Sequence, residues 1–223
     1  MSYYKNGVVF FDIDDTLVRG QSQKLFINFL WKKELVSYWF YVRLMFWFLL
    51  YKLHIIKDPS RIATHAFSFL KNMPREKLSG LVDLFFDQVL VHQFYQDALL
   101  VIREHQKEGR QILLVSNAFD TLVERISFYV KADGYIATEL KDDNGVLSGE
   151  INGSINYGKV KAERVKEFCI KNNISLDNSW GYADHVSDLA FLVLVKNSIV
   201  VNPSTDFQMI IRNPGFKSIF FKK

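Results

Sequence analysis

Residues 7–17 read GVVFFDIDDTL, and the first six decide the fold, because they form an unbroken apolar run that ends in a carboxylate. With Val8, Val9, Phe10 and Phe11 in succession, neither face of a strand is polar, so this strand expects cover on both sides, as in a parallel sheet. QILLVS (111–116) repeats the pattern and ends in Ser116, SWGYAD (179–184) repeats it more weakly and ends in Asp184, and SIVVN (198–202) and SIFFK (218–222) complete a set of five. Helical patterns separate them: DALLVIREHQKE, stopped by Gly109, then TLVERISFYVK, then KAERVKEFCIKN, then the segment after Asp188. This alternation predicts an α/β fold, a doubly wound parallel sheet with right-handed crossovers.

Residues 20–97 interrupt the alternation. They hold no convincing strand and read as successive helices, with Asp58-Pro59 and Met73-Pro74 as helix starts, so they predict an all-helical insert between the first and second strands. The chain then divides into an α/β core of residues 1–19 and 98–223 and a helical unit of residues 20–97. In TELKDDNGVLSGEI, Asn144-Gly145 between two short strand-like runs predicts a hairpin.

The composition narrows the classes. With 223 residues, 49% of them hydrophobic, the chain has enough apolar area for one or two cored domains, which excludes a peptide hormone and wholesale disorder. A single cysteine, Cys169, excludes an intramolecular disulfide and a cysteine-held zinc. The four-residue apolar run near the start is too short for a secretory leader, so the expected location is cytoplasmic, with membrane contact at most peripheral.

The net charge of +4 is unevenly placed. From residue 24 to 71, eight Lys or Arg face only Glu34 and Asp58, a local +6, and the rest of the chain is slightly acidic. The basic residues follow no spacing of a nucleic-acid module, and no nucleic-acid partner is expected. The same region holds LVSYWFYVRLMFWFLLYKLHII, in which eight of the fourteen residues from Tyr38 to Tyr51 are aromatic. The seventeen residues from Leu35 to Tyr51 make roughly 26 Å of helix, short of a ~30 Å hydrocarbon core, and Arg43 at the midpoint would cost about 2.5–3.5 kcal/mol to insert, so a span is disfavoured. A helix apolar on nearly every face still needs cover. Either neighbouring helices or the interfacial zone of a bilayer, reached through residues 35–56, would supply it.

Open parallel sheets bind ligands beyond the carboxyl ends of their strands, which singles out Asp12, Ser116 and Asp184. Asp14 lies two residues past Asp12, and Asp188 four past Asp184. Carboxylates gathered at one edge repel unless a cation sits among them, and oxygen donors of this kind predict Mg²⁺.

DIDDTL, LLVSN, a lysine after a glycine, and ADHVSDLAF together resemble the four ordered motifs of the haloacid dehalogenase superfamily of phosphohydrolases, over nearly the whole chain. The helical insert after the first motif is similar to the cap of the phosphoserine phosphatase-like branch, which also includes a phosphatidylglycerophosphatase. The resemblance implies a Rossmann-like core with an inserted helical cap, and a Mg²⁺-dependent phosphomonoester phosphatase working through an aspartyl-phosphate on a small phosphorylated substrate or a lipid phosphate. It implies Asp12 as nucleophile, Asp14 as general acid and base, Thr16, Ser116 and Asn117 as holders of the phosphoryl oxygens, and Asp12, Asp14 (through its carbonyl), Asp184 and Asp188 around the metal. Asp15 stands where the family often has Gly and reads as neutral variation; Asp188 and Ser116 read equally well as helix-cap or turn residues.

For the basic motif Lys159 and Lys161 compete. In this branch the lysine tends to lie three residues after a Gly and four before an apolar residue, and Gly158 and Val165 satisfy both for Lys161, whereas Glu163 follows Lys159 at that spacing. Three other readings stand beside this one: phosphoserine phosphatase itself, a lipid-phosphate phosphatase of the phosphatidylglycerophosphatase type at a membrane surface, and, from another class, a signalling receiver domain. Receivers lack an acid two residues past the phosphorylated Asp and lack such an insert. A catalytically silent binding module on the same fold is a fourth reading, against which the joint retention of Asp12, Asp14, Lys161 and Asp184 argues. Phosphoserine phosphatases carry Glu nine residues after the nucleophile; here that position is Gln21, which points away from an ammonium-bearing substrate.

Overall fold

A computed structural model of the chain describes residues 6–53, 55, 66–211 and 215–222. Six parallel strands form one sheet: β1 (Val8–Phe11), β2 (Gln111–Phe119), β3 (Gly134–Thr138), β6 (Ser179–Ala183), β7 (Asn197–Val201) and β8 (Phe216–Ile219), in the order β3-β2-β1-β6-β7-β8. The pair β4 (Leu140–Asp143) and β5 (Val146–Ile151) forms a separate antiparallel hairpin. Its turn is the expected Asn144-Gly145, with φ of +50° and +81°, the left-handed pair that a two-residue hairpin of matching twist requires.

All four residues of β1 are buried, and the period of two sorts them. Val9 and Phe11 pack with Ala98 and Ile102 of α4 (Gln96–Lys107) and Leu122 and Ile126 of α5 (Asp120–Val130). Val8 and Phe10 pack with Val165 and Cys169 of α6 (Lys159–Lys171), Phe191 of α7 (Leu189–Leu192) and Phe207 of α8 (Thr205–Ile210). Helices therefore cover both faces, as the continuous apolar run requires. The chain builds β1, β2 and β3 in one direction and then returns to β1's other side for β6, β7 and β8, so the winding reverses between β1 and β6. That reversal opens a crevice at the carboxyl ends of β1 and β6, where Asp12 and Asp184 stand.

The structure adds to and adjusts the sequence expectations. β3 was not expected, since GYIAT is short and only its last three residues are buried. β2 runs three residues past Ser116, with a register shift between Val115 and Phe119, and the last strand begins at Phe216 rather than Ser218.

Between β1 and β2 the described residues include α1 (Ser22–Lys32), α2 (Tyr38–Lys52) and α3 (Arg75–Gln88), and no strand. The helix start expected at Asp58-Pro59 lies outside the described residues; the one at Met73-Pro74 precedes α3, with Pro74 at its N-cap. These helices share the core's own hydrophobic cluster: Phe26 of α1 lies 5.5 Å from the Phe119 ring and 5.2 Å from Phe85 of α3. Arg75 adds a polar tie, with Nε 2.7 Å from Asp142, Nη1 3.2 Å from Asp120 and Nη2 donating to the Leu140 carbonyl at 2.8 Å. Arg125 does the same from α5, reaching Asp83 and Asp87 while its guanidinium stacks 3.8 Å over the Phe86 ring.

The residues Asp184 and Asp188 are set by a close approach of β6 to α7. A Cβ at Gly181 would lie 2.9 Å from Val195 Cγ2, 3.1 Å from Phe191 Cζ and 3.3 Å from Leu192 Cδ2. Gly181→Ala should accordingly cost about 1–3 kcal/mol, read as a lower urea midpoint with unchanged slope. An unchanged midpoint would show that this packing is looser than the geometry states.

Candidate active site

Asp12 follows β1 directly, and its N–H donates to the Tyr182 carbonyl of β6 at 2.9 Å, continuing the parallel ladder. The chain then turns back tightly: the Ile13 carbonyl accepts from Thr16, Leu17 and Val18 at 3.2, 2.8 and 3.0 Å. Asp15 sits in the left-handed region with φ +54°, and its carboxylate accepts from the Gly20 N–H at 2.7 Å. Sequence reasoning missed this role. The conformation is one that glycine adopts freely and Asp tolerates, so the turn accommodates Asp15 without a glycine.

The Asp14 Oδ1 accepts from the Ser22 N–H at 2.8 Å, at the start of α1. Burial raises its pKa to about 6, partly offset by the hydrogen bonding from Ser22. Its proton affinity thus lies near neutrality, where a group can both give and take a proton.

Lys161 lies in the first turn of α6, almost fully buried. Its Nζ is 2.8 Å from Asp12 Oδ1 and 2.7 Å from Asp188 Oδ1, while Lys159 is exposed. Burial alone would lower the lysine's pKa, but the two carboxylates outweigh it and hold the ammonium protonated. Asp188 occupies the N-cap of α7 without making a side-chain cap hydrogen bond; its carboxylate serves the lysine instead.

Oxygens of Asp12, Asp184 and Asp188 lie within 4.8 Å of one another. Burial pushes the Asp12 and Asp184 carboxyls up, and each is raised further by its carboxylate neighbours, with Lys161 pulling down. One ammonium is too little charge for this cluster, and hard oxygen donors with surplus negative charge fit a divalent cation. Asp14's carboxylate stands outside the cluster.

These groups open on a cavity of about 210 Å³. Asp12, Asp14, Lys161, Asp184, Asp188 and Asn117 line it, but Thr16 and Ser116 do not. Both are fully buried: the Ser116 Oγ accepts from the Ala118 N–H at 3.1 Å, and the Thr16 hydroxyl has no hydrogen-bond partner among the described residues. Asn156, also missed, fixes the strand ends beneath them, its Nδ2 donating to the Ser116 and Ile136 carbonyls at 2.8 and 3.0 Å. No periodicity marks it, since it lies in the irregular SINYG segment. The insert supplies the opposite wall with Gln21, Gln23, Lys24, Phe26 and Ile27 of the α1 region and Phe67, Phe69 and Leu70.

Comparisons with known proteins agree with this geometry. The family model described as haloacid dehalogenase-like hydrolase matches residues 9–192. Phosphoserine phosphatase SerB1 of Mycobacterium tuberculosis is 22% identical over 211 residues, covering 93% of this chain and 68% of the relative. Among solved structures, a protein of unknown function from Bordetella pertussis Tohama I superposes with a TM-score of 0.86 at 22% identity, over 96% of this chain and 97% of that one. A phospho-aspartyl intermediate analogue of phosphoserine phosphatase superposes with 0.67 at 18% identity, over 97% and 93%.

The buried ion triad makes a stability prediction that separates the two lysines. In EDTA, Lys161→Met leaves Asp12 and Asp188 without their shared cation and should cost about 3 kcal/mol in denaturant unfolding. Lys159→Met, on the surface, should stay within about 0.5 kcal/mol. Equal effects would contradict the assignment of the bridging role to Lys161.

Proposed function

As a member of the haloacid dehalogenase-like hydrolase family the chain is a phosphoric monoester hydrolase, and we propose that Asp12 is its nucleophile and Asp14 its proton carrier. The observation that carries this reading is the Lys161 ammonium shared by Asp12 and Asp188 on the floor of the cavity. In the first step an Asp12 oxygen forms a bond to phosphorus, the bond from phosphorus to the leaving oxygen breaks, and Asp14 gives its proton to that oxygen. In the second, Asp14 takes a proton from water as the water oxygen attacks phosphorus, releasing phosphate and restoring the Asp12 carboxylate. Lys161 offsets the negative charge that gathers around the transferring group.

Mg²⁺ is the cation we assign to Asp12, Asp184 and Asp188, with the Asp14 carbonyl as a further donor; when bound it would neutralise charge and fix a phosphate oxygen beside the nucleophile. The Asn117 side of the cavity is our choice for the phosphoryl oxygens, with Thr16 and Ser116 assigned to the same cradle, Thr16 being the one that carries an unpartnered hydroxyl. Residues 1–19 and 98–223 form the catalytic core in this reading, and residues 20–97 a cap that excludes water and selects the leaving group.

The substrate is a small phosphorylated molecule. Relatives carry the name phosphoserine phosphatase, but among the described residues the cap's contribution to the cavity includes no carboxylate, and Gln21 lies on the wall. The described residues of that wall offer a serine ammonium no carboxylate, whereas the apolar side chains Phe26, Ile27, Phe67 and Leu70 suit an uncharged or lipid-like leaving group. We therefore place phosphorylated glycerols and lipid phosphates ahead of phosphoserine, with contact at a membrane surface through residues 35–56 as part of that reading.

Two measurements test these roles. Asp12→Asn should abolish turnover, and Asp14→Asn should keep substrate binding while kcat falls by about 10²–10⁴, with Lys161→Ala far more damaging than Lys159→Ala. Near-normal metal-dependent hydrolysis by the Asp12 variant would refute the mechanism. On substrate choice, kcat/KM should favour glycerol phosphates and phosphatidylglycerophosphate over phosphoserine, and Gln21→Glu should move the ratio toward phosphoserine; a clear wild-type preference for phosphoserine would overturn the inference.

A further inference from the structure

Helix α2 is apolar on two faces, and the protein covers one. Leu44 is fully buried, and Phe40, Tyr41, Met45 and Trp47 pack against the core cluster. Tyr41 stacks on Trp31 at 4.7 Å, and its hydroxyl donates to Asn28 Oδ1 at 3.0 Å. On the other face Leu35, Trp39, Val42, Phe46, Leu49 and Leu53 are exposed, at spacings that alternate four and three and so form one continuous stripe. Trp39 is 78% exposed and Phe46 56%. A contiguous patch of this kind on a protein surface marks a contact site.

Three observations select its partner. Fifteen residues make about 22 Å of helix, short of a ~30 Å hydrocarbon core, and no described helix is long and apolar enough to cross a membrane. The exposed charge on the stripe and just before it in sequence is mostly positive: Lys32, Lys33 and Arg43 are exposed, and Glu34 is the sole carboxylate in the sequence from residue 16 to 57. Arg43 itself stands in a shallow recess with Ser37, Trp39, Val42 and Phe46 and forms no ion pair among the described residues. A second copy laid stripe to stripe would bring the two arginines together with no acid in residues 35–53 to separate them. An anionic phospholipid surface offers both what the stripe needs and what the cations need, and Trp and Tyr favour the headgroup level.

We propose that the outer face of α2 seats the protein on anionic bilayers, with Trp39 and Phe46 entering the headgroup and acyl boundary and Arg43, Lys32 and Lys33 on phosphates. This deepens the lipid-phosphate reading above, but it is measured without turnover, so either can fail while the other stands. The test is flotation of the full chain with vesicles of phosphatidylcholine alone or mixed with phosphatidylglycerol, at low and high salt, with sedimentation velocity of the free protein.

Wild type should float with the anionic vesicles, more weakly at high salt, and little with phosphatidylcholine alone. Arg43→Glu should weaken partition by about tenfold, and Trp39→Ser with Phe46→Ser should remove it. Both variants should hydrolyse p-nitrophenyl phosphate as wild type does, since none of these residues lines the catalytic cavity. No flotation at low salt, flotation of the double variant equal to wild type, or a stable dimer that the double variant breaks into monomers would overturn the proposal.

Discussion

The Lys161 ammonium, held at 2.8 Å from Asp12 and 2.7 Å from Asp188, is the interaction on which the site depends. Three segments distant in sequence meet there: the end of β1, the first turn of α6 and the turn after β6. Carboxylates brought together at a buried sheet edge would take up protons rather than stay ionised, and an unprotonated nucleophile is what an attack on phosphorus needs. The lysine supplies part of the missing charge, and the remaining surplus is the reason a divalent cation fits the cluster. Parallel topology makes the meeting unavoidable, because β1 and β6 flank the point where the winding reverses and both deliver their last residue to the same crevice.

The insert completes the site from the other side. The start of α1 donates the Ser22 N–H to Asp14, and one turn further on, Phe26 packs against Phe119 at the end of β2. The same helix therefore orients Asp14, the proton carrier we propose, and forms the apolar wall that a leaving group would meet. Its far end stacks on α2, so the most aromatic segment of the chain is joined to the cavity through eleven residues of α1.

Much of this was legible because it is carried by local pattern. The run GVVFFD could only be a strand covered twice, and Asn144-Gly145 could only be a tight turn. The choice of Lys161 over Lys159 came from the spacing that the family resemblance implies, with Gly158 three residues before and Val165 four after, and the structure places Lys161 buried between two carboxylates and Lys159 in solvent. What stayed illegible depends on tertiary contact. β3 has too few apolar residues to announce itself, yet it gains its pairing from β2. Asn156 acts through carbonyls twenty and forty residues away, and the left-handed turn at Asp15 is closed by Gly20. Thr16 and Ser116 carry hydroxyls suited to phosphoryl oxygens, but only the folded chain shows that both are fully buried beside the cavity rather than among its lining residues.

The central claim is that Asp12 becomes covalently phosphorylated, and the direct measurement is rapid quench of the enzyme with a radiolabelled phosphomonoester, followed by borohydride reduction and peptide mapping. The account predicts a base-labile acyl phosphate on Asp12, absent from Asp12→Asn. Label on another residue, or single-turnover hydrolysis without any phosphoenzyme, would contradict it.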